Sequence, residues 1–410
     1  MRSFSAISGL VPRKHFPPSL DHMIQKETEN IARSKEWLST QVFPLWMKRG
    51  VDQGSGGLIE ALTLEGDALD LPRRAMVQAR QIYSFRIGRG LGCCSEEEAR
   101  SIIGRAAAFL IERYSVPSGA FIHSIGADGK PRNGQLDLYT QAFGLFGLAN
   151  AYAVLRDERL KQRALSLADY LWRERRAPGG GYTEIDNGQI VLRSNPHMHL
   201  FEAAISWMRV DSDSRWKVLA GEVLDLCLTR FVDPESRALC EYFQEDWRPI
   251  RTDGKFFFEP GHHYEWAWLM MLYEESAGRN LRSTRDDLFR TAETFGLSPE
   301  RNAMDEIWSH GVPKKRSSRF WPQCERIKAA VRMGARAPEK EQADFARASD
   351  EAVGALFRFL QTPTPGLWRD TLLESGSFRE EPAKASSLYH IINAFDEYIA
   401  LRPGLSGLAG

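Results

Sequence analysis

The sequence predicts an all-α protein folded as an (α/α)6 barrel, which is a toroid of six helical hairpins. Hydrophobic residues recur at helical spacing along most of the 410-residue chain, and strand-like alternation is nearly absent. Long and short connections alternate between the expected helices, which places all the long loops on one face of an up-and-down array. We therefore expect a single barrel domain over residues 18–410, preceded by a loose N-terminal tail over residues 1–17.

The periodicity predicts twelve helices, and every second helix follows a long loop. The helices that follow long loops are rich in small and apolar residues, as in 144–151, which favours an inner position near the barrel axis. The other helices carry more charge, as in 157–163, and we expect them outside. The predicted helices span residues 19–47, 72–90, 95–115, 135–157, 159–176, 196–210, 214–231, 260–278, 281–297, 322–336, 339–361 and 383–402.

Proline marks the same repeat. A proline lies at or just before each expected inner helix, where its missing N–H group is tolerated in the first turn. The spacing stays near ~60 residues, which is typical of repeated helical hairpins. Six such hairpins can close into a ring, whereas an open solenoid needs polar capping repeats. These prolines are Pro72, Pro131, Pro196, Pro260, Pro322 and Pro382.

The composition excludes several classes of protein. Lysine plus arginine and aspartate plus glutamate are equal at 54 each, so the charge balance favours neither a nucleic-acid nor an anionic-membrane partner. The five cysteines include the adjacent pair Cys93 and Cys94 but no C-x-x-C motif, which argues against a disulfide framework and for a cytoplasmic protein. No signal peptide is convincing, and no apolar stretch approaches the ~20 residues of a membrane span.

Polar and aromatic residues gather where the expected inner helices begin. If these helices all start at the open face, their first turns line one cavity, and five of the nine histidines lie in these turns. Aromatic faces and charged hydrogen-bonding groups are suited to a sugar. The candidate site residues are Arg80, Tyr139, Asn195, His199, His262, Glu265, Trp321, Gln323 and His390.

Each candidate also has a purely structural interpretation. Asn195 precedes Pro196 and can serve only as an N-cap, and Arg80 can be an ordinary ion-pair partner. His262 and Glu265 lie three residues apart on one helical face, where surface pairs are common. His197 is expected to be a buried histidine with no role in the site.

Metal and glycosidase chemistry are the main catalytic alternatives. The histidines and Glu265 can in principle ligate zinc, but the H-E-x-x-H spacing is absent, so we expect no metal and no cofactor. A glycosidase would need paired carboxyls, such as Glu265 with Glu325 or Asp137. The excess of histidine favours proton transfer instead.

Four segments, taken together and in order, resemble the N-acylglucosamine 2-epimerase superfamily, which includes mannose isomerases, a type of mannose-6-phosphate isomerase and cellobiose 2-epimerases. The resemblance runs from Phe43 to His390, with Cys324 and Phe320 as small departures from the expected pattern. The segments are Asn195–His199, Pro260–Trp266, Arg319–Glu325 and Ser386–His390.

The resemblance implies an (α/α)6 barrel and metal-free 1,2-proton transfer. It implies that His262 and His390 are the catalytic acid/base pair, and histidine can accept and donate protons near neutral pH. The residues implied to hold the open-chain sugar are Arg80, Asn195, His199, Glu265 and Trp321, and we add Tyr139 and Gln323 from their places in the first turns.

We therefore expect an aldose–ketose isomerase acting on mannose or mannose 6-phosphate. The alternatives are a 2-epimerase of N-acylglucosamine or cellobiose-type sugars and, outside catalysis, a helical-repeat interaction scaffold. The run 314–316, Lys-Lys-Arg, either binds a phosphate or is a solvated loop. The expected partner is a small-molecule sugar, and the protein is expected to be a monomer or homodimer.

Overall fold

A computed structural model describes residues 20–186 and 189–405, so the expected tail over residues 1–17 lies outside the described residues. Thirteen α-helices occur in the described part: α1 (Leu20–Glu36), α2 (Phe43–Arg49), α3 (Ala75–Gly90), α4 (Glu96–Tyr114), α5 (Leu138–Leu155), α6 (Glu158–Glu174), α7 (Ser194–Met208), α8 (Ser214–Leu226), α9 (Pro260–Ala277), α10 (Arg282–Phe295), α11 (Phe320–Gly334), α12 (Glu339–Phe359) and α13 (Leu388–Leu401). A π-helical segment, Trp37–Val42, joins α1 to α2 in one rod, and a 3₁₀ turn, Ala385–Ser387, leads into α13.

The helices form two concentric rings. Helices α3, α5, α7, α9, α11 and α13 each contact the next, and α13 returns to α3, so the inner ring is closed. Helices α4, α6, α8, α10 and α12 pack outside the inner helix that precedes them, and α1 packs outside α13. This arrangement confirms the (α/α)6 barrel. Within residues 20–186 and 189–405, no helix is long and apolar enough to cross a membrane.

Burial explains which helices are inside. Nearly every residue of α5 and α9 is buried, because these helices are covered by two inner neighbours, an outer helix and the loops. Helix α6 instead buries one stripe, including Leu160, Leu167 and Leu171, and exposes its charged face. Small residues permit the close inner packing: a Cβ atom added at Gly147 would lie 2.7 Å from the Cβ atom of Ala79 on α3.

The short connections are set by helix caps. Arg156 and Gly278 take left-handed backbone conformations and end α5 and α9. Asp157 and Asp213 then accept hydrogen bonds from the first turns of α6 and α8, and Ser95 forms a capping box at the start of α4. These caps let each outer helix start within a few residues of the preceding inner helix.

The long loops contain short strands, which the sequence analysis did not predict. Strands of two to five residues are too short to show an alternating pattern along the chain. The described strands are β1 (Ala61–Leu62), β2 (Arg73–Arg74), β3 (Ser124–Ile125), β4 (Pro131–Asn133), β5 (Glu184–Asp186), β6 (Gln189–Arg193), β7 (Tyr242–Phe243), β8 (Phe257–Phe258), β9 (Glu306–Trp308), β10 (Pro313–Lys315), β11 (Ser318–Arg319), β12 (Thr371–Leu372) and β13 (Ala383–Lys384).

These strands connect neighbouring loops around the barrel mouth. The last strand of one loop pairs antiparallel with the first strand of the next loop in β2–β3, β6–β7, β8–β9 and β11–β12. The ring is closed by β13 and β1, where Ala61 pairs with Lys384 and Leu62 with Ala383. The second loop reaches the third through the side chain of Gln135, which donates to the carbonyl of Ile185 at 3.0 Å.

The prolines of the repeat lie at different distances from the starts of the inner helices. Pro260 is the first residue of α9, and Pro196 and Pro322 lie in the first turns of α7 and α11. Pro131 instead lies in β4, and α5 starts only at Leu138. A residue without an N–H group suits a strand edge as well as a first helical turn, so the repeat does not fix the helix start.

Candidate active site

The fourth residue of five inner helices holds the preceding long loop. In α3, α5 and α11 it is glutamine, whose side-chain amide bonds both the N–H and the C=O of one loop residue, at 2.7–2.9 Å. In α7 and α9 it is histidine, whose Nε2 accepts a loop N–H and whose Nδ1 faces a carbonyl. We call these the loop-clamp residues: Gln78, Gln141, His197, His263 and Gln323.

The sixth residue of each inner helix points the other way. Residues two positions apart in an α-helix are separated by about 200° around the helix axis. Side chains at the fourth and sixth positions therefore lie on opposite faces. The sixth residues lie one turn inside the mouth, and all six are buried. Counting the last helix from Ala385, this axial ring is Arg80, Phe143, His199, Glu265, Glu325 and His390.

His262, the third residue of α9, is held by a carboxylate from a long loop. Its Nδ1 lies 2.9 Å from Oε1 of Glu241, whose other oxygen accepts a 2.8 Å bond from the hydroxyl of Ser194. Burial opposes the protonation of His262, but the charges of Glu241 and Glu259 outweigh it and raise its pKa to about 9. His262 is therefore an imidazolium at neutral pH, with Nε2 left to donate a proton.

His390 has the opposite electrostatic setting. Its Nδ1 lies 2.7 Å from Oε1 of Glu325, and Oε2 of Glu325 lies 2.5 Å from Nζ of Lys328. Burial, followed by the positive charges of Arg80 and Lys328, holds the pKa of His390 well below its ordinary value. His390 is therefore neutral at pH 7, and with Nδ1 engaged its Nε2 is the basic atom.

Trp321 lies beside both histidines. Its ring centroid is 5.2 Å from that of His262 and 5.7 Å from that of His390. The indole fits against the start of α9 because residue 261 is glycine: a Cβ atom there would lie 2.4 Å from the Trp321 ring. A flat apolar ring beside a proton donor and a proton acceptor is a suitable surface for the C–H face of a sugar.

The expected sugar-binding residues form the neighbouring wall. The guanidinium of Arg80 donates to the Tyr139 hydroxyl at 2.7 Å and lies 4.3 Å from the ring centroid of Phe143. His199 packs against Tyr139 and Phe143, and its Nδ1 lies 3.1 Å from Oε2 of Glu202. Burial lowers the pKa of His199 to about 3, so it is a neutral hydrogen-bonding group.

The mouth contains a cavity of about 330 Å³ whose lining includes Tyr139, Asn195 and His262. The N-cap of α7 is Arg193, so Asn195 lies within the helix and the N-cap interpretation of Asn195 is wrong. The side-chain oxygen of Asn195 is buried and makes no hydrogen bond to the described residues. An unsatisfied buried acceptor beside a cavity is suited to a ligand hydroxyl.

Gln323 and Glu265, two of the candidate site residues, have different surroundings. Gln323 is fully buried, and its amide is engaged by Ala303 and Arg319 as a loop clamp rather than directed at the axis. Glu265 lies in the axial ring, but the carboxylate that orients His262 is Glu241. One oxygen of Glu265 is buried with no hydrogen-bond partner among the described residues.

The axial carboxylates also bear on the expected absence of a metal. Two triads have potential ligand atoms within 4.8 Å of one another: His199, Glu202 and Glu265, and Glu265, Glu325 and His390. The ammonium group of Lys328 already neutralises part of this negative charge. Metal independence therefore stays a prediction, which chelation can test.

Sequence reasoning missed the charged partners of the two histidines. Glu241 lies in a loop 21 residues before His262, and no local spacing connects them. Lys328 follows Glu325 by three residues, which is a detectable helical pair. The same spacing connects His199 to Glu202.

Comparison with known proteins shows the family of the chain. The family model for N-acylglucosamine 2-epimerase (GlcNAc 2-epimerase) matches residues 56–394. The chain is 36% identical over 372 residues to a mannose-6-phosphate isomerase of Rhizobium meliloti, covering 88% of this chain and 94% of that protein. It is 24% identical over 273 residues to a cellobiose 2-epimerase of Bacteroides fragilis, covering 61% of this chain and 66% of that protein.

The fold matches solved structures over nearly the whole chain. A cellobiose 2-epimerase from Bacillus thermoamylovorans superposes with a TM-score of 0.81 at 19% identity, covering 91% of this chain and 99% of that one. Both the sequence relatives and the family description are sugar-converting enzymes, which favours catalysis over an interaction scaffold. The chain belongs to the N-acylglucosamine 2-epimerase family and is an isomerase or epimerase of sugars.

Proposed function

We propose that the protein interconverts an aldose of the mannose type with its ketose by proton transfer between C2 and C1. The observation that carries this proposal is the opposite protonation of His262 and His390, whose rings both pack against Trp321. Two titratable groups whose pKa values are pushed apart are suited to act as acid and base in one reaction. The Rhizobium meliloti relative, named a mannose-6-phosphate isomerase, supports the same direction.

The reaction begins with opening of the sugar ring: the imidazolium of His262 donates a proton to the ring oxygen as the C1–O5 bond breaks, and the C1 hydroxyl gives its proton back to His262 as the aldehyde forms. Nε2 of His390 then removes the proton from C2. The electron pair of that bond forms a C1–C2 double bond, and the carbonyl oxygen O1 becomes an oxyanion. His262 protonates O1, and Arg80 stabilises the negative charge as it develops.

The second half of the reaction decides the product. When His390 returns its proton to C1 and the O2 hydroxyl gives its proton back to His262, C2 becomes a carbonyl and the product is a ketose. When His262 instead donates its proton to C2 from the opposite face, as the O1 oxyanion returns to a carbonyl, the product is the 2-epimer; His390 then releases its proton to solvent and His262 takes one up. The match to a protein named cellobiose 2-epimerase keeps this second outcome as the alternative function.

The charge of the mouth bears on the choice of sugar. The 330 Å³ cavity is lined by Asp137, Glu184, Glu241 and Glu259, with Arg193 as its only arginine or lysine among the described residues. Carboxylates disfavour a phosphate dianion, so the lining favours mannose over mannose 6-phosphate. Residues 314 and 315, expected either to bind phosphate or to be solvated, are both lysines paired with Glu306.

The test is incubation of the purified protein in D2O with mannose, mannose 6-phosphate, N-acetylglucosamine and cellobiose, followed by NMR. We expect mannose to give fructose with deuterium at C1, and a His390→Ala variant to lose both exchange and turnover while remaining folded by circular dichroism. EDTA should leave the rate unchanged. Full turnover by His390→Ala, or loss of turnover with EDTA that zinc restores, would contradict the mechanism.

A further inference from the structure

A lysine lies beneath the active site, where no sugar can reach it. Lys328, on α11, is fully buried, and its ammonium nitrogen lies 3.9 Å from the ring centroid of Trp268 on α9. Its ion pair is with Oε2 of Glu325, the carboxylate whose other oxygen lies against Nδ1 of His390. Burying an ammonium group is costly, so a specific local charge must balance it.

The side chains around Lys328 carry more negative charge than is needed to balance its ammonium group. Lys328 faces three buried carboxylates, Glu325 on its own helix, Glu265 on α9 and Glu202 on α7, and their charges raise its pKa although burial opposes this. The same three carboxylates repel one another, and burial together with Glu265 raises the pKa of Glu325. Lys328 is the charge that opposes this rise, because it contacts Glu325 directly.

His390 is affected by the same charge. The groups that act on it come from four inner helices, and each cation among them disfavours a second positive charge. These groups are Arg80 from α3, His199 from α7, His262 from α9, and Lys328 and Glu325 from α11.

We propose that Lys328 is a positioning residue for the isomerisation: it fixes Glu325 as a carboxylate against Nδ1 of His390 and keeps His390 neutral and ready to accept the C2 proton. Lys328 acts through Glu325 and contacts no substrate. The inference rests on the proposed function, because it assigns the base role to His390. It goes beyond that function in assigning the electrostatic control of the base to a residue outside the cavity.

The test is the pH dependence of kcat/KM, measured with the sugar that the wild type turns over. Activity falls at low pH as the Glu325–His390 pair takes up a proton. Removing the ammonium charge in Lys328→Met raises the proton affinity of the pair, wherever the proton resides. We expect the acid limb to move up by about 1 to 3 pH units, which is the usual effect of a charge in contact. Lys328→Arg, which keeps the charge, should leave the limb near its wild-type position.

Arg326 provides the matched control. It is also fully buried on α11, but it pairs with Glu293 and Glu351 toward the outer helices. Arg326→Met should lower the stability without moving the acid limb, which separates a local electrostatic effect from general loosening. An unmoved limb in folded Lys328→Met overturns the inference, whereas a wild type that converts none of the sugars overturns the proposed function itself.

A measurement on the wild type covers the case in which Lys328→Met does not fold. Histidine labelled with ¹³C is titrated by NMR, and the His390 signal is assigned by its loss in His390→Gln. We expect His390 to stay neutral well below pH 6.5, the ordinary midpoint for histidine. A midpoint at or above that value overturns the inference without reference to any assay.

Discussion

The loop-clamp residues lie within two positions of active-site residues on the same helices, yet the two sets of side chains have different roles. His263 and His262 are adjacent, but His263 holds the N–H of Leu239 while His262 lies against Glu241 at the mouth. Burial lowers the pKa of His263 to about 3, whereas carboxylates raise that of His262 to about 9. The direction in which a side chain points, more than its chemical type, decides whether it serves the fold or the reaction.

The largest expected difference comes from replacing each of the adjacent histidines by glutamine. His263→Gln should keep near-normal turnover, because glutamine already makes this clamp at positions 78, 141 and 323. His262→Gln removes the proton donor and should lower kcat by about 10²- to 10⁴-fold, the usual contribution of a general acid. Steady-state kinetics and thermal unfolding of both variants provide the check. Equal losses of kcat in the two variants would contradict the assignment of His263 to the fold and His262 to the reaction.

A smaller effect is expected from the partner of His262. The active form of His262 is the protonated one, so kcat/KM should fall as the pH rises through about 9. Glu241→Gln removes the adjacent negative charge and should shift this basic limb down by about 1 to 3 pH units, leaving the acid limb in place. Glu222, which pairs with Arg176 on the outside of the barrel, is the control carboxylate, and Glu222→Gln should shift neither limb.

The smallest effect on catalysis is expected at Gln323, the loop-clamp residue of α11. Gln323→Leu leaves the loop N–H and C=O of Ala303 unpaired and should lower the free energy of unfolding by about 1–3 kcal/mol. The KM for the sugar should change by less than about twofold, since about 0.4 kcal/mol of binding corresponds to that factor. Gln141→Leu breaks the same contact in another hairpin and is the matched control in urea unfolding. A large rise in KM with unchanged stability would restore Gln323 as the sugar ligand that its sequence position suggested.

The sequence was sufficient to predict the barrel, because the helical repeat and its prolines are periodic properties of the chain. It also identified His262 and His390 as candidates, since both lie in first turns that share one end of the barrel. It could not identify Glu241 as the partner of His262, because that contact depends on how a long loop folds over the mouth. It misplaced Gln323 for a related reason: the two faces of a first turn cannot be distinguished until it is known which one the loop covers.

The pairing of β13 with β1 joins the sixth loop to the first, across more than 300 residues of sequence. Alongside it, the N–H of Ala385 donates to the carbonyl of Glu60, and Arg80 donates to the carbonyl of Ser386. Contacts so distant in the chain form late in folding, because a long segment must be ordered before they close. His390 follows this seam by a few residues, so a chain that has built five hairpins still lacks its base. Turnover therefore requires the closed ring, because His390 reaches its place in the site only when the sixth loop has paired with the first.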